Sequence, residues 1–134
     1  MQAGFYGIQA HHTQAHLLQA TYEGVLFSLM HHLNRMLQRF PNTQILRITG
    51  GPTKSPIWLQ MLADLTGMTL EVPNIEETGC LGAAMMAMEA KGETPPELLQ
   101  QAMRQVKPNP DHFEAYQKKY QRYQRLISAL KTLH

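Results

Sequence analysis

Ile48-Thr49-Gly50-Gly51-Pro52-Thr53-Lys54-Ser55-Pro56 joins the end of one apolar segment to the start of another. Upstream, residues 43–49 read as a short strand with Ile45, Leu46 and Ile48 as its apolar content. The paired glycines break that strand. Ser55 is a favoured helix N-cap and Pro56 suits the first helical turn, so a helix opens there. Its apolar face is Ile57, Met61, Leu62 and Leu65, and Gly67 is a natural stop just past its end. Residues 68–72 form a second strand, closed by Pro73. Strand, glycine turn, helix and strand make a βαβ unit with parallel strands and a right-handed crossover. The class is α/β. Two strands alone make a poor free-standing sheet, so the rest of the sheet is expected from sequence beyond this chain.

Residues 15–40 read as one long helix. Leu18, Tyr22, Val25, Leu29, Leu33, Met36 and Phe40 recur at steps of three and four along one face. Leu17, Ala20, Gly24 and Phe27 add a second, partly apolar face, which predicts a helix buried between layers. Pro41 and Asn42 end it. Downstream of the βαβ unit, residues 79–90 form a helix rich in Gly and Ala, with Met85, Met86 and Met88 as adaptable bulk. Gly92 breaks the chain again. Thr94-Pro95-Pro96-Glu97 has the form of a capping box and predicts a helix running to Val106. Lys107-Pro108-Asn109-Pro110 reads as a rigid linker, and a last helix runs from Asp111 towards the C-terminus.

The glycine turn is where chemistry is expected. Without a Cβ, Gly50 and Gly51 let backbone N–H groups approach a phosphate or ribose, and the helix behind them adds the positive end of its dipole. Ser55 can cap the helix or offer a hydroxyl to a nucleotide. A Walker P-loop is excluded, because that pattern needs Gly directly before Lys-Ser and Thr53 stands there. Spacing alone leaves two readings open: a nucleotide-facing turn, or a tight turn and helix cap that needs no ligand.

The run from Leu46 to Ala90 resembles the nucleotide-binding half of the FGGY carbohydrate kinases. It carries the strand, the paired glycines, a Ser a few residues on, the helix Trp58-Leu59-Gln60-Met61-Leu62-Ala63-Asp64, and then Glu76-Glu77-Thr78-Gly79-Cys80-Leu81-Gly82-Ala83-Ala84. Ala3, Phe5, Gly7, Ile8, His16, Leu17, Ala20, Thr21, Tyr22 and Glu23 fill, in order, the positions of the family's second signature. The tail Tyr116-Gln117-Lys118-Lys119-Tyr120-Gln121-Arg122-Tyr123 is similar to that of bacterial L-xylulose and 3-keto-L-gulonate kinases, which implies a ketose substrate.

The resemblance implies the second half of a ribonuclease H-like, actin-like ATPase domain, helix-rich, with C-terminal helices. On that basis residues 1–134 form the C-terminal nucleotide-binding portion of a sugar kinase. Residues 1–91 would belong to the ribonuclease H-like core and residues 92–134 to a C-terminal helical extension. The implied substrates are ATP with Mg²⁺ and a sugar held mainly by an N-terminal domain outside this chain. That domain also supplies the Asp general base, so this chain contributes no catalytic residue and is expected to be inactive alone. Gly51 would lie against the nucleotide phosphates, Ser55 near the adenosine, and Gly50 would shape the turn. Pro52 stands where many members have Gly or Ala, which removes one backbone donor from the loop.

Other signals weigh less. His12 and His16 are spaced as two ligands on a helical face, but no Cys or carboxylate is spaced to complete a metal site. Lys118, Lys119, Arg122 and Arg125 interleave with tyrosines, yet Tyr116, Tyr120, Tyr123, Ile127 and Leu130 form one helical face with the basic residues on its flanks. With a net charge of only +2, no nucleic-acid partner is expected. Asp64 reads as an ordinary helix residue, Trp58 as packing, and the single Cys80 as a buried structural thiol. One cysteine allows no intrachain disulfide, and the first seven residues have neither the basic stretch nor the apolar run of an export signal. No membrane span is expected, and the cytoplasm is the expected location. Apolar surface on the long helix, together with an open strand edge, predicts self-association. A non-catalytic interaction or regulatory module that kept the fold but binds no nucleotide is the competing reading. It gives no reason for two glycines at a strand end.

Overall fold

The computed structural model describes residues 4–75, 77–94 and 103–132. The chain divides into two compact units, Met1–Asn42 with Glu114–His134, and Thr43–Phe113.

The second unit carries the βαβ core. β1 (Ile45–Arg47) and β2 (Thr69–Pro73) are parallel, paired Ile45 to Thr69, Leu46 to Leu70 and Arg47 to Glu71. Between them run a 3-10 turn (Gly51–Lys54) and α2 (Pro56–Thr66). Ser55 is the N-cap of α2, its Oγ accepting the Trp58 N–H at 3.3 Å. Gly67 ends the helix in the left-handed region at φ 68°, as the stop signal predicts. A Cβ there would lie 3.0 Å from the Phe113 ring, so conformation favours glycine and a side chain would have to shift that ring.

A third strand corrects the sequence reading. Residues 103–106, expected as the end of a helix, form β3 (Met103–Val106), antiparallel to β2, and the sheet order is β1-β2-β3. The start of the expected helix, residues 95–102, lies outside the described residues. Leu46, Leu70 and Val106 fall in register across the three strands. Strand alternation places Val72 and Arg104 on that same face. On the opposite face Arg47, Glu71 and Gln105 form a polar row, with Arg47 donating to Glu71 at 3.2 Å. Leu70 and Val72 are buried with Leu59, Met61, Leu62 and Leu65 of α2. Leu59 takes the place in the core that the sequence reading assigned to Ile57, which is 67% exposed.

Asp64 is not an ordinary helix residue. It is 3% exposed and accepts from three sources: Asn109 N–H at 2.8 Å, Gln60 Nε2 at 2.8 Å and His112 Nδ1 at 2.8 Å. Gln60 also donates to the Lys107 carbonyl at 3.0 Å, so α2 is bolted to the linker that precedes α4 (Pro110–Lys131). Burial pushes the Asp64 carboxyl up, but the bonds from Asn109, His112 and Gln60 together pull it further the other way, to below 3.8.

Helix α3 (Thr78–Ala90) also belongs to the second unit and buries no residue among those described. Cys80 is therefore exposed, not a buried thiol, because nothing described covers its face of α3.

In the first unit, α1 (Gln14–Arg39) matches the expected long helix, but it buries Leu26, Phe27 and Met30. The stripe expected to be buried stays largely open: Leu18, Val25, Leu29, Met36 and Phe40 are exposed. The buried side meets α4, where the Phe27 ring lies 5.8 Å from Tyr120 and 5.4 Å from Tyr123. Asn34 donates to the Tyr120 hydroxyl at 3.3 Å, and Glu23 accepts from Lys119 at 2.6 Å and Gln19 at 2.9 Å.

Candidate functional site

The candidate site is the turn between β1 and α2. Gly50 adopts φ 87° and ψ −165°, a conformation closed to side chains with a Cβ. The chain then folds into the 3-10 turn, held from within: Thr53 N–H and Thr53 Oγ1 both donate to the Gly50 carbonyl, at 3.0 and 2.7 Å. The Ser55 N–H closes onto Pro52 O at 3.1 Å, and Leu59 N–H begins the helical ladder on Ser55 O at 3.1 Å.

Gly50, Gly51 and Ser55 thus lie on one short path from strand end to helix start. Among the described residues a Cβ built on either glycine would meet nothing within 4 Å, so both border open space there. Thr53 and Ser55 spend their N–H groups inside the turn, and Pro52 and Pro56 have none. Among the described residues neither the Gly50 nor the Gly51 N–H has a partner. The Ser55 oxygen accepts a backbone N–H, which leaves its hydroxyl hydrogen to donate. Unspent donors beside open space, at the N-terminus of an 11-residue helix, are the equipment of an anion site.

Sequence reasoning missed one residue here. Arg104 of β3 reaches across and donates from Nη2 to the Thr53 carbonyl at 3.2 Å. Only the strand pairing of residues 103–106 brings it to the turn, and a helical reading of that segment hides it.

The histidines do something local. α1 begins at Gln14, so His12 precedes the helix and does not share a helical face with His16. His12 Nδ1 accepts from Gln9 N–H and His16 Nδ1 from Thr13 N–H, each at 3.1 Å, which organises the entry to α1. A hollow of about 210 Å³ lies beside them, lined by Phe5, Tyr6, His12, His16, Glu23 and Lys119 among others. Among the described residues no group of three or more His, Cys, Asp or Glu side chains is placed to hold a metal ion, and no helix is long and apolar enough to cross a membrane.

Residues 1–90 match the C-terminal domain of the FGGY family of carbohydrate kinases, and the chain belongs to that family. The probable L-xylulose kinase of Pasteurella multocida is 70% identical over 133 residues, 99% of this chain and 28% of that protein. The L-xylulose/3-keto-L-gulonate kinase of Escherichia coli K12 is 52% identical over 139 residues, covering 100% of this chain and 28% of its own length. Among solved structures, a xyloylose kinase from Brucella ovis superposes with a TM-score of 0.83 at 26% identity, over 100% of this chain and 28% of that one. A ligand-bound xylulose kinase from Lactobacillus acidophilus gives 0.81 at 27% identity, over 96% and 27%. The fold is that of the C-terminal part of these kinases, the second half of an actin-like domain. The chain spans 28% of the length of these two curated relatives.

Proposed function

We propose that this chain is the nucleotide-binding part of an ATP-dependent sugar kinase that phosphorylates a ketose such as L-xylulose or 3-keto-L-gulonate. The observation that carries the reading is the Gly50–Gly51 turn, with unspent N–H groups beside open space at the start of α2. Gly51 lies against the phosphates of ATP or ADP, Ser55 lies near the adenosine, and Gly50 supplies the bend. The sugar class rests on relatives at 70% and 52% identity that carry those substrate names.

ATP enters as its magnesium complex. Mg²⁺ keeps several waters and rides mainly on phosphate oxygens, so it needs no cage of protein side chains. Phosphoryl transfer rests on positioning and on stabilising spread negative charge. The backbone donors of the turn and the dipole of α2 serve both. The sugar and the general base that takes its hydroxyl proton are held by sequence outside these residues, so residues 1–91 and 92–134 act together as a nucleotide module with a C-terminal extension. A cytoplasmic location suits an ATP-consuming enzyme with a single thiol. Exposed Leu18, Val25, Leu29 and Met36 on α1 support self-association of the chain on its own.

Titrating ADP into the chain while following backbone amide shifts tests the assignment. The expected result is weak binding with the largest shifts at Gly50, Gly51 and Ser55, and no sugar-dependent ADP release. Shifts centred on His12 and His16, or turnover by the chain alone, contradict it.

A further inference from the structure

The glycine turn is braced twice. From inside, Thr53 donates its N–H and its hydroxyl to the Gly50 carbonyl, at 3.0 and 2.7 Å. From outside, Arg104 Nη2 donates to the Thr53 carbonyl at 3.2 Å. The two braces meet in one residue: Thr53 holds Gly50 with its donors and is held by Arg104 through its acceptor. Gly50 sits at φ 87°, so its peptide orientation depends on what holds it.

The backbone of Arg104 is fixed by strand pairing. It stands opposite Val72 in the β2–β3 register, on the sheet face that carries buried Leu70 and Val72. Its guanidinium has Thr53 as its hydrogen-bond partner among the described residues. An exposed arginine that forms no salt bridge to a carboxylate among the described residues, and spends its described contact on a backbone carbonyl, contributes little to the core. Its effect falls on the loop.

We infer that Arg104 is a positioning residue for the nucleotide loop: acting through Thr53, it sets the orientation of the Gly50–Gly51 peptides and thereby the affinity for the ATP phosphates. The inference rests on the proposed nucleotide role of the turn. It assigns ATP affinity partly to a strand that follows the glycine turn by some fifty residues and reaches it through Thr53.

The test uses the complete kinase that contains this domain, with Arg104→Ala, Thr53→Val and Gly51→Val compared with the parent. Arg104→Ala removes an exposed side chain and should leave the melting temperature nearly unchanged. It should raise KM for ATP roughly tenfold, the size expected for losing one charged hydrogen bond that shapes a binding loop. KM for the ketose should stay put. Thr53→Val keeps the shape, removes the hydroxyl brace and should raise KM for ATP in the same direction. The double variant should be less than additive, because both act on one peptide. Arg104→Lys should recover part of the loss, since an ammonium can still donate to the Thr53 carbonyl. If Gly51→Val raises KM for ATP while Arg104→Ala leaves it unchanged, the positioning role is overturned and the nucleotide reading stands. If Gly51→Val itself leaves KM for ATP unchanged, both are overturned. A fall in kcat and rise in both KM values alongside a lower melting temperature means a structural role and also overturns the inference.

Discussion

Helix α2 buries Leu59, Met61, Leu62, Ala63, Asp64 and Leu65 within 11 residues, whereas α3, 13 residues of mostly apolar composition, buries none among those described. Composition does not separate them. Partners do: α2 has the sheet face of Leu70 and Val72 beneath it, while α3 offers Gly79, Gly82, Ala83, Ala84 and Ala87, side chains that suit close approach to a neighbouring backbone. One helix is a finished part of the core and fixes the glycine turn at its N-terminus. The other is an apolar surface that is largely unspent within the described residues. Stability should therefore be concentrated on α2 and the elements it touches.

The sharpest contrast is between Leu62→Ala and Met86→Ala. Leu62 is 1% exposed, so its truncation should cost about 2–5 kcal/mol in a denaturant melt. Met86 is 71% exposed, and its loss should fall within about 0.5 kcal/mol. Similar losses at both sites would break the comparison.

Asp64→Ala comes next. It strips the acceptor from a half-buried backbone N–H of Asn109 as well as from His112 and Gln60, at a cost of about 1–3 kcal/mol near neutral pH. Because the carboxyl is held below 3.8 in the folded chain, its stabilisation is complete above that ordinary value. It drains away as pH falls through the lowered one. The gap between parent and variant in urea midpoints should accordingly shrink in acid. A gap that widens in acid contradicts the direction of the shift.

Gly67→Ala puts a Cβ into left-handed backbone and against Phe113, and should cost about 1–2 kcal/mol. Smallest in energy is the test of α3 itself. Cys80 is exposed, so a maleimide should label it fully in the folded chain at the rate of a free thiol. Protection of that thiol would show that α3 has a partner the described residues do not reveal.

Much of the second unit could be read from its punctuation. Gly50-Gly51, Ser55-Pro56 and Gly67 each act through local backbone preference, so the strand, the turn, the helix and its stop are legible without tertiary knowledge. β3 is not. Met103-Arg104-Gln105-Val106 has one apolar residue at each end and follows a strong helix-start signature, and only pairing with β2 makes it a strand. Arg104 was hidden for the same reason. Asp64 had a clue, since it sits among Leu62, Ala63 and Leu65, yet its partners Asn109 and His112 lie over forty positions away. The glycine pair reads in the sequence as a candidate place for chemistry, and the ligand expected there comes from resemblance.

The central claim is that the turn at Gly50–Gly51 serves a nucleotide and not merely the fold. Gly51→Val in the complete kinase tests it most directly, because a Cβ at Gly51 meets nothing within 4 Å among the described residues and should leave the melting temperature nearly unchanged. The account predicts a KM for ATP raised by roughly tenfold or more, as a branched side chain enters phosphate space, with KM for the ketose held. An unchanged KM for ATP in a variant that melts like the parent would contradict it.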